Sequence, residues 1–225
     1  MIYDISMEKV IIIGAVGTAR NIIEQIQDAR DNYGYEIEIR GILIDSFHTG
    51  TIISEVNVIG STSDISKHVA DEDNRFIFCL HKPELLRERY RVLESYRIPL
   101  ERFTNFIHPL SFMSQSVSIG KGNAILSNST IQADVKIGNF NIINSNVTIE
   151  HETTIGNFNF VAANSCIGAK VKVGDTNFIG LNSSIRENVE LGNNVFIGMH
   201  SLVLKNYSDC LVYGSPAKKY LRQIE

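Results

Sequence analysis

The sequence predicts two structural units in one chain: a small α/β domain with a parallel sheet, then a parallel β-helix built of hexapeptides and closed by a short carboxy-terminal helix. Three observations carry this prediction. Aliphatic residues or methionine recur at every sixth position from Ile107 to Val203. A period of 18 residues, marked by Ile119-Gly120, Ile137-Gly138, Ile155-Gly156, Val173-Gly174 and Leu191-Gly192, lies over the first. Ahead of His108, apolar runs of strand length alternate with segments of helical spacing.

Stepping by six from Ile119 meets Ile125, Ile131, Ile137, Ile143, Ile149, Ile155, Val161, Ile167, Val173, Ile179, Ile185, Leu191, Ile197 and Val203 without a break. Strands repeat every 2 residues and helices every 3.6, so a strict period of six fits neither and marks a hexapeptide β-helix. Three hexapeptides make one coil, and the longer period aligns five of them: Val117 to Asp134, Val135 to Glu152, Thr153 to Lys170, Val171 to Asn188 and Val189 to Asn206. Each coil is read as a triangle whose three short sides point one aliphatic residue inward. Asn123, Gly138, Asn141, Gly156, Asn159, Gly174 and Asn177 recur where corners fall, and their tolerance of positive φ is the expected reason.

The amino-terminal part, taken in order, reads as alternating strands and helices. Lys9 to Ile13 is a buried-type strand ending at Gly14, followed by Ile22, Ile23, Ile26 and Ala29 at helical spacing. Glu36 to Ile44 is a second strand, ending at Asp45. Val56 to Ile59 is a short third, and Ser61 to Ser63 supply caps for a helix through about Val69. Arg75 to Leu80 is another strand, Pro83 opens a helix carrying Leu86, Tyr90 and Leu93, and Phe103 to Ile107 is a last strand. This alternation predicts a parallel sheet with Rossmann-like winding over residues 1–108 and the β-helix with its tail over 109–225.

Composition narrows the function classes. The 225 residues carry a net charge of −4 with no basic run, which argues against a nucleic-acid partner. Cys79, Cys166 and Cys210 are odd in number and widely spaced, as expected of a chain in a reducing cytoplasm without a disulfide framework or a zinc site. No signal peptide is read at the amino terminus, and no apolar run is long enough to suggest a membrane span.

Two places carry chemistry. The turn Gly14-Ala15-Val16-Gly17-Thr18, between a first strand and a helix, brings backbone amides and a positive helix end together and suits a phosphate. It is not the G-x-G-x-x-G dinucleotide fingerprint, because Val16 stands at the middle position. Asp45 closes the second strand, where an acidic residue can bind a ribose hydroxyl. The other place is Glu150-His151-Glu152. In the 18-residue column of His151 the other coils carry Ala133, Ala169, Glu187 and Lys205, so the fold does not require an imidazole there. A corner histidine flanked by carboxylates can be held in one tautomer as a general base. His108, beside Pro109, is read as structural, and His200 as a corner hydrogen-bonding residue in a column with Asn128, Asn164 and Asn182.

With these residues in place, the chain resembles the bacterial hexapeptide-repeat sugar acetyltransferases that carry an amino-terminal Rossmann-like domain. That family includes N-acetyltransferases of nucleotide-linked 4-amino-sugars and sialic acid O-acetyltransferases. The matching segments are KVIIIGAVGTAR, GILID, VIG at Val58 to Gly60, the FIHP junction, IEHETTIGNF and YGSPAK. The resemblance implies a left-handed β-helix and a homotrimer with active sites between subunits. It also implies acetyl-CoA as co-substrate and no metal. His151 matches the family's general base and Glu152 its orienting carboxylate. Gly14, Ala15, Val16, Gly17, Thr18, Asp45, Ser46 and Gly60 match positions that hold the nucleotide-sugar. Phe160, Ala169, Leu181, Met199 and Lys218 match positions along the acetyl-CoA arm, with Lys205, Lys219 and Arg222 adding basic charge for CoA phosphates. Two positions depart from the family pattern: Phe160 and Thr18 stand where members often carry histidines.

The resemblance therefore favours N-acetylation of a nucleotide-linked 4-amino-deoxysugar, with sugar O-acetylation and a non-catalytic nucleotide-sugar-binding trimer as alternatives. Zinc carbonic anhydrases share the β-helix. The prism here offers only His151 and His200, nearly three coils apart, against the about three converging ligands that zinc needs.

Overall fold

The structure, a computed structural model, describes residues 7–14 and 16–212. Its amino-terminal sheet is built of β1 (Glu8–Gly14), β2 (Ile37–Leu43), β3 (Ile52–Ile53), β4 (Val56–Gly60) and β5 (Asn74–Cys79), in the order β3-β4-β2-β1-β5. β1 pairs in parallel with β2 and β5, and β2 with β4. β3, which hydrophobic patterning does not reveal, is a two-residue antiparallel partner of β4 across a tight turn at Ser54 and Glu55, both at positive φ. α1 (Val16–Tyr33) buries Ala19, Ile22, Ile23, Ile26 and Ala29, the stripe expected from their spacing. The helix expected after Ser61 is a 3-10 turn, Thr62–Asp64, running into α2 (Ile65–Val69). Pro83 likewise opens a 3-10 turn, Pro83–Leu85, ahead of α3 (Leu86–Ser95).

The strand expected over Phe103 to Ile107 is divided between the two units. Phe103 makes an isolated parallel bridge to Phe76 in β5, whereas Phe106–Ile107 pairs with Ala124–Ile125 as the first rung of the prism. The intervening Asn105 explains the break. Its Oδ1 accepts from the backbone N–H of Asn123 at 2.9 Å and its Nδ2 donates to Gly120 O at 2.7 Å, so it belongs to the prism's own lattice.

The prism has three faces of parallel two-residue strands. The first face runs from Phe106–Ile107 to Leu211–Val212, the second from Phe112–Met113 to Leu202–Val203, and the third from Ser118–Ile119 to Glu190–Leu191. In each strand the second residue points inward, and from Ile125 to Val203 every one of these is buried. At the lower end Ile107, Met113 and Ile119 are only partly buried, because no coil lies beneath them. The helix expected at the carboxy terminus lies outside the described residues.

The structure corrects the reading of the corners. Positive φ falls every six residues, at Gly122, Asn128, Asp134, Phe140, Asn146, Glu152, Phe158, Asn164, Lys170, Thr176, Asn182, Asn188, Asn194 and His200. None of the recurrent Gly and Asn residues singled out above is among them. The asparagines form a buried ladder instead: Asn141 Nδ2 donates to Asn123 Oδ1 at 3.0 Å and to Gly156 O at 2.9 Å, while Asn141 Oδ1 accepts from the N–H and Nδ2 of Asn159. The glycines are there for clearance. A Cβ on Gly138 would stand 2.5 Å from Gly156 O of the next coil.

Two of the left-handed corner residues, Phe140 and Phe158, join the units. The Phe140 ring meets Phe103 edge-on at 4.8 Å. Phe158 is fully buried, stacked on His81 at 4.1 Å and 12°, and on Tyr90 at 5.0 Å. α1 packs on the first face, where Ala124, Leu126 and Ile142 belong to the same apolar cluster as Ile22 and Ile26. Gln25 ties α1 to the corner between first and second faces, its Oε1 accepting from Ser127 N at 2.8 Å and its Nε2 donating to Ser145 Oγ at 3.1 Å.

His81 gives this junction a pH dependence. Burial pushes its imidazole down from 6.5 to about 4, with the hydrogen bond to Phe140 O opposing the shift. As pH falls below about 6.5 the unfolded chain binds a proton there that the folded chain refuses. The stability contribution is therefore complete above 6.5 and lost toward pH 4, at up to about 1.4 kcal/mol per pH unit. Melting curves across that range are expected to show the loss in the wild type and a flatter profile in His81→Gln.

Candidate active site

His151 and Glu152 sit at the corner between the second and third faces, which is the corner opposite the first face. His151 Nδ1 lies 2.9 Å from Glu152 Oε2, and both side chains are about half exposed. A carboxylate only accepts, so the proton sits on Nδ1 and the Nε2 lone pair is left free to take another. The local backbone makes this contact between sequence neighbours: Glu152 is the left-handed residue of its corner, φ 60°, and its N–H donates to Ala133 O one coil below. The His151 ring N–H holds the Glu152 carboxyl below its ordinary value, and Lys170 adds to this.

Lys170 is a member of the site that the sequence reading passed over. Its Nζ stands 3.6 Å from Glu152 Oε2. The signal was present, since residue 170 follows residue 152 by one coil in the same corner column. Ala169, one coil above His151, is half-buried, and its N–H makes no hydrogen bond among the described residues. A free amide in that place is a donor of the kind a developing oxyanion needs.

Glu152 is replaceable in shape but not in charge. Glu152→Gln keeps the geometry and loses the charge that steadies an imidazolium, so kcat is expected to fall about tenfold while the folded state persists. The wild-type carboxylate is held below its ordinary value, chiefly by the His151 ring N–H, so it keeps its charge further into the acid range than a free glutamate does. A folded Glu152→Gln variant with undiminished kcat would remove Glu152 from the site.

The other expected residues gather elsewhere. Gly14, Asp45 and Gly60 lie at the carboxyl ends of β1, β2 and β4, side by side at one edge of the sheet. Gly14 is needed for close approach, since a Cβ there would stand 2.6 Å from Ala19 Cβ. Gly17 faces open space, with nothing within 4 Å of an added Cβ. Val16 and Thr18 beside it are half-buried, and Ser46 is exposed. Asp45 is engaged within the domain: its carboxylate accepts from Thr62 N at 2.7 Å and Thr62 Oγ1 at 3.0 Å. Phe160, half-buried on the first face, packs on the same apolar cluster as Val16.

Leu181 and Met199 stand exposed, one coil apart, at the corner between first and second faces. Ala15 and Lys218, with Lys219 and Arg222, lie outside the described residues. Within one chain, then, the turn with Phe160 and the His151 corner are on opposite sides of the prism. Among the described residues no group of three or more His, Cys, Asp or Glu is arranged to hold a metal ion, and no helix is long and apolar enough to cross a membrane. His108 is buried, its Nε2 donating to Asp28 at 3.0 Å and its Nδ1 accepting from Leu110 N at 3.2 Å, a structural role at the junction. His200 Nε2 lies 3.4 Å from Asn182 Nδ2, within its corner column.

Solved structures with the same architecture include acetyltransferases. PerB, the perosamine N-acetyltransferase of Caulobacter crescentus, solved with CoA and GDP-perosamine, is 25% identical with a TM-score of 0.78, covering 93% of this chain and 96% of that one. Two further structures of that enzyme carry a histidine replaced by Asn or by Ala. The acetyltransferase domain of PglB from Neisseria gonorrhoeae, solved with acetyl coenzyme A, is 22% identical with a TM-score of 0.78, covering 95% of this chain and 99% of that one. No protein-family model matches the chain. An uncharacterised protein of Acanthamoeba polyphaga mimivirus is 35% identical over 125 residues, 56% of this chain, which spans 22% of that protein's length. The chain thus has the fold of the hexapeptide-repeat sugar N-acetyltransferases, a Rossmann-like domain followed by a left-handed β-helix.

Proposed function

We propose that this chain transfers the acetyl group of acetyl-CoA to the amine of a nucleotide-linked 4-amino-deoxysugar, and that it works in the cytoplasm as a homotrimer with sites between neighbouring prisms. The observation that carries the reading is the His151–Glu152 pair, 2.9 Å apart on an exposed corner whose column requires no imidazole. CoA and GDP-perosamine bound to PerB support the two ligand classes.

In this reading the turn Gly14 to Thr18, with Asp45, Ser46 and Gly60, holds the nucleotide-sugar, and Ala169, Leu181, Met199, Phe160 and Lys218 contact acetyl-CoA. His151 Nε2 takes a proton from the acceptor amine as its nitrogen attacks the thioester carbonyl. Glu152 steadies the imidazolium, and the Ala169 N–H faces the oxyanion. The tetrahedral intermediate then expels the CoA thiolate, which leaves as the thiol with the proton from His151. A turn and a base on opposite sides of one prism meet only across two chains, which supports the shared site.

The test is thiol release from acetyl-CoA with GDP-perosamine, UDP- and dTDP-linked 4-amino-sugars, and sialic acid as acceptors. Rapid turnover with one amino-sugar nucleotide is expected. Activity with sialic acid alone would shift the reaction to O-acetylation, and nucleotide-sugar binding without any thiol release would sink the enzyme reading.

A further inference from the structure

We propose that Nδ1 of His81 accepts a hydrogen bond from an N–H or O–H of the sugar held at the Gly14 to Thr18 turn, which makes His81 a specificity-determining residue of the acceptor site; this rests on the transferase reading above. The tautomer is fixed by the prism. His81 Nε2 donates to Phe140 O at 2.9 Å, so Nδ1 carries the bare lone pair. That atom is buried and has no hydrogen-bond partner among the described residues. A buried acceptor without a donor costs about 1–3 kcal/mol, so it calls for an occupant.

Its place in the fold identifies the occupant. β5 ends at Cys79, paired with Gly14 of β1, so His81 follows the sheet edge immediately beside the glycine turn. Ligands of open parallel sheets bind outside the carboxyl ends of the strands. The His81 ring centre is 6.5 Å from that of Phe160, which is half-buried and packs on the same cluster as Val16 of the turn. In the reading above Phe160 contacts acetyl-CoA and the sugar must reach the acetyl group, so the sugar comes within one side chain of His81. The pyrophosphate carries no proton at neutral pH and cannot donate to a lone pair. Sugar hydroxyls and the amino group can.

The variants separate the two ring nitrogens. In His81→Gln the amide Nε2 still donates to Phe140 O, while nothing accepts at the Nδ1 position. In His81→Asn the side-chain oxygen replaces Nδ1, and the bond to Phe140 is lost. Calorimetric titration uses GDP-perosamine and UDP- and dTDP-linked 4-amino-sugars, together with bare GDP, UDP and dTDP. The expected result is that His81→Gln weakens the sugar-linked ligand about tenfold, raises its KM without raising that of acetyl-CoA, and leaves bare nucleotide binding unchanged. His81→Asn recovers part of the loss.

Equal effects on sugar-linked and bare nucleotides, or none, would overturn the inference and leave Nδ1 to a structural water. Should His81→Gln fail to fold, the 15N resonance of His81 Nδ1 in the wild type decides: it moves with the sugar-linked ligand and not with the bare nucleotide, or the inference fails. Wild-type protein that neither binds the panel nor releases thiol would bring down the transferase reading itself, whereas an active wild type with an unaltered His81→Gln would bring down this inference alone.

Discussion

His151→Ala is expected to lower kcat for thiol release by about 10²–10⁴-fold while leaving the melting temperature unchanged. The two halves of this expectation rest on different observations. The catalytic loss follows from the Nε2 lone pair that the Glu152 contact leaves free. The structural indifference follows from exposure of the ring and from a column that carries Ala133 and Ala169 in neighbouring coils. Folded protein with undiminished turnover would eliminate His151 as the base. The same variant tests the shared site. Mixed with Gly17→Glu, which fills the open space at the turn, it should recover part of the wild-type rate, because in the proposed trimer some interfaces of the mixture join an intact turn to an intact histidine. If every site lay within one chain, the mixture would be as inactive as its components.

The largest stability loss is expected from Asn141→Leu. Leucine keeps the branching of asparagine with methyl groups in place of the amide, so the change removes the side-chain hydrogen bonds of the ladder and adds bulk at a fully buried position. It strands the Asn159 N–H, the Asn159 side-chain amide and the Gly156 carbonyl, all bonded to Asn141 in the wild type. At about 1–3 kcal/mol for each stranded group, the total is a large share of the roughly 5–15 kcal/mol that holds a domain folded. Thr154→Ala, exposed in the next coil, is the control and should stay within about 0.5 kcal/mol. A melting temperature for Asn141→Leu as high as that of the control would show that the ladder contributes little.

How far the sequence could be read differs by region. The prism was legible because a period of six at the inward position has one geometric meaning, and the described residues from Ile125 to Val203 keep it throughout. The role of the recurrent asparagines was not legible. Repetition shows that a position matters without telling whether it turns the chain or bonds to the next coil. The positions that do turn hold Gly122, Asp134, Phe140, Glu152, Phe158, Lys170, Thr176 and His200 among asparagines, too mixed a set to betray a left-handed backbone.

The site divides in the same way. His151 stood out against its column, and the glycine turn against its strand and helix. His81 follows a strand without any repeat to compare it with, and its partners Phe140 and Phe158 lie 59 residues or more away in sequence. The division of Phe103 and Phe106 between two sheets was equally hidden, since strand propensity does not record which sheet a segment joins.

The left-handed corner residue recurs along the prism with its backbone held by the coil beneath: the Glu152, Phe158 and Asn164 N–H groups each donate to a carbonyl one coil below. The identity of that residue is thereby released from folding. Two such positions, Phe140 and Phe158, glue on a domain, another, Glu152, holds the His151 ring, and several do neither. A molecule built this way can acquire or lose an activity by a single substitution on an unchanged scaffold. Its evolutionary history is then expected to show slow drift at the ladder and rapid turnover at the corners.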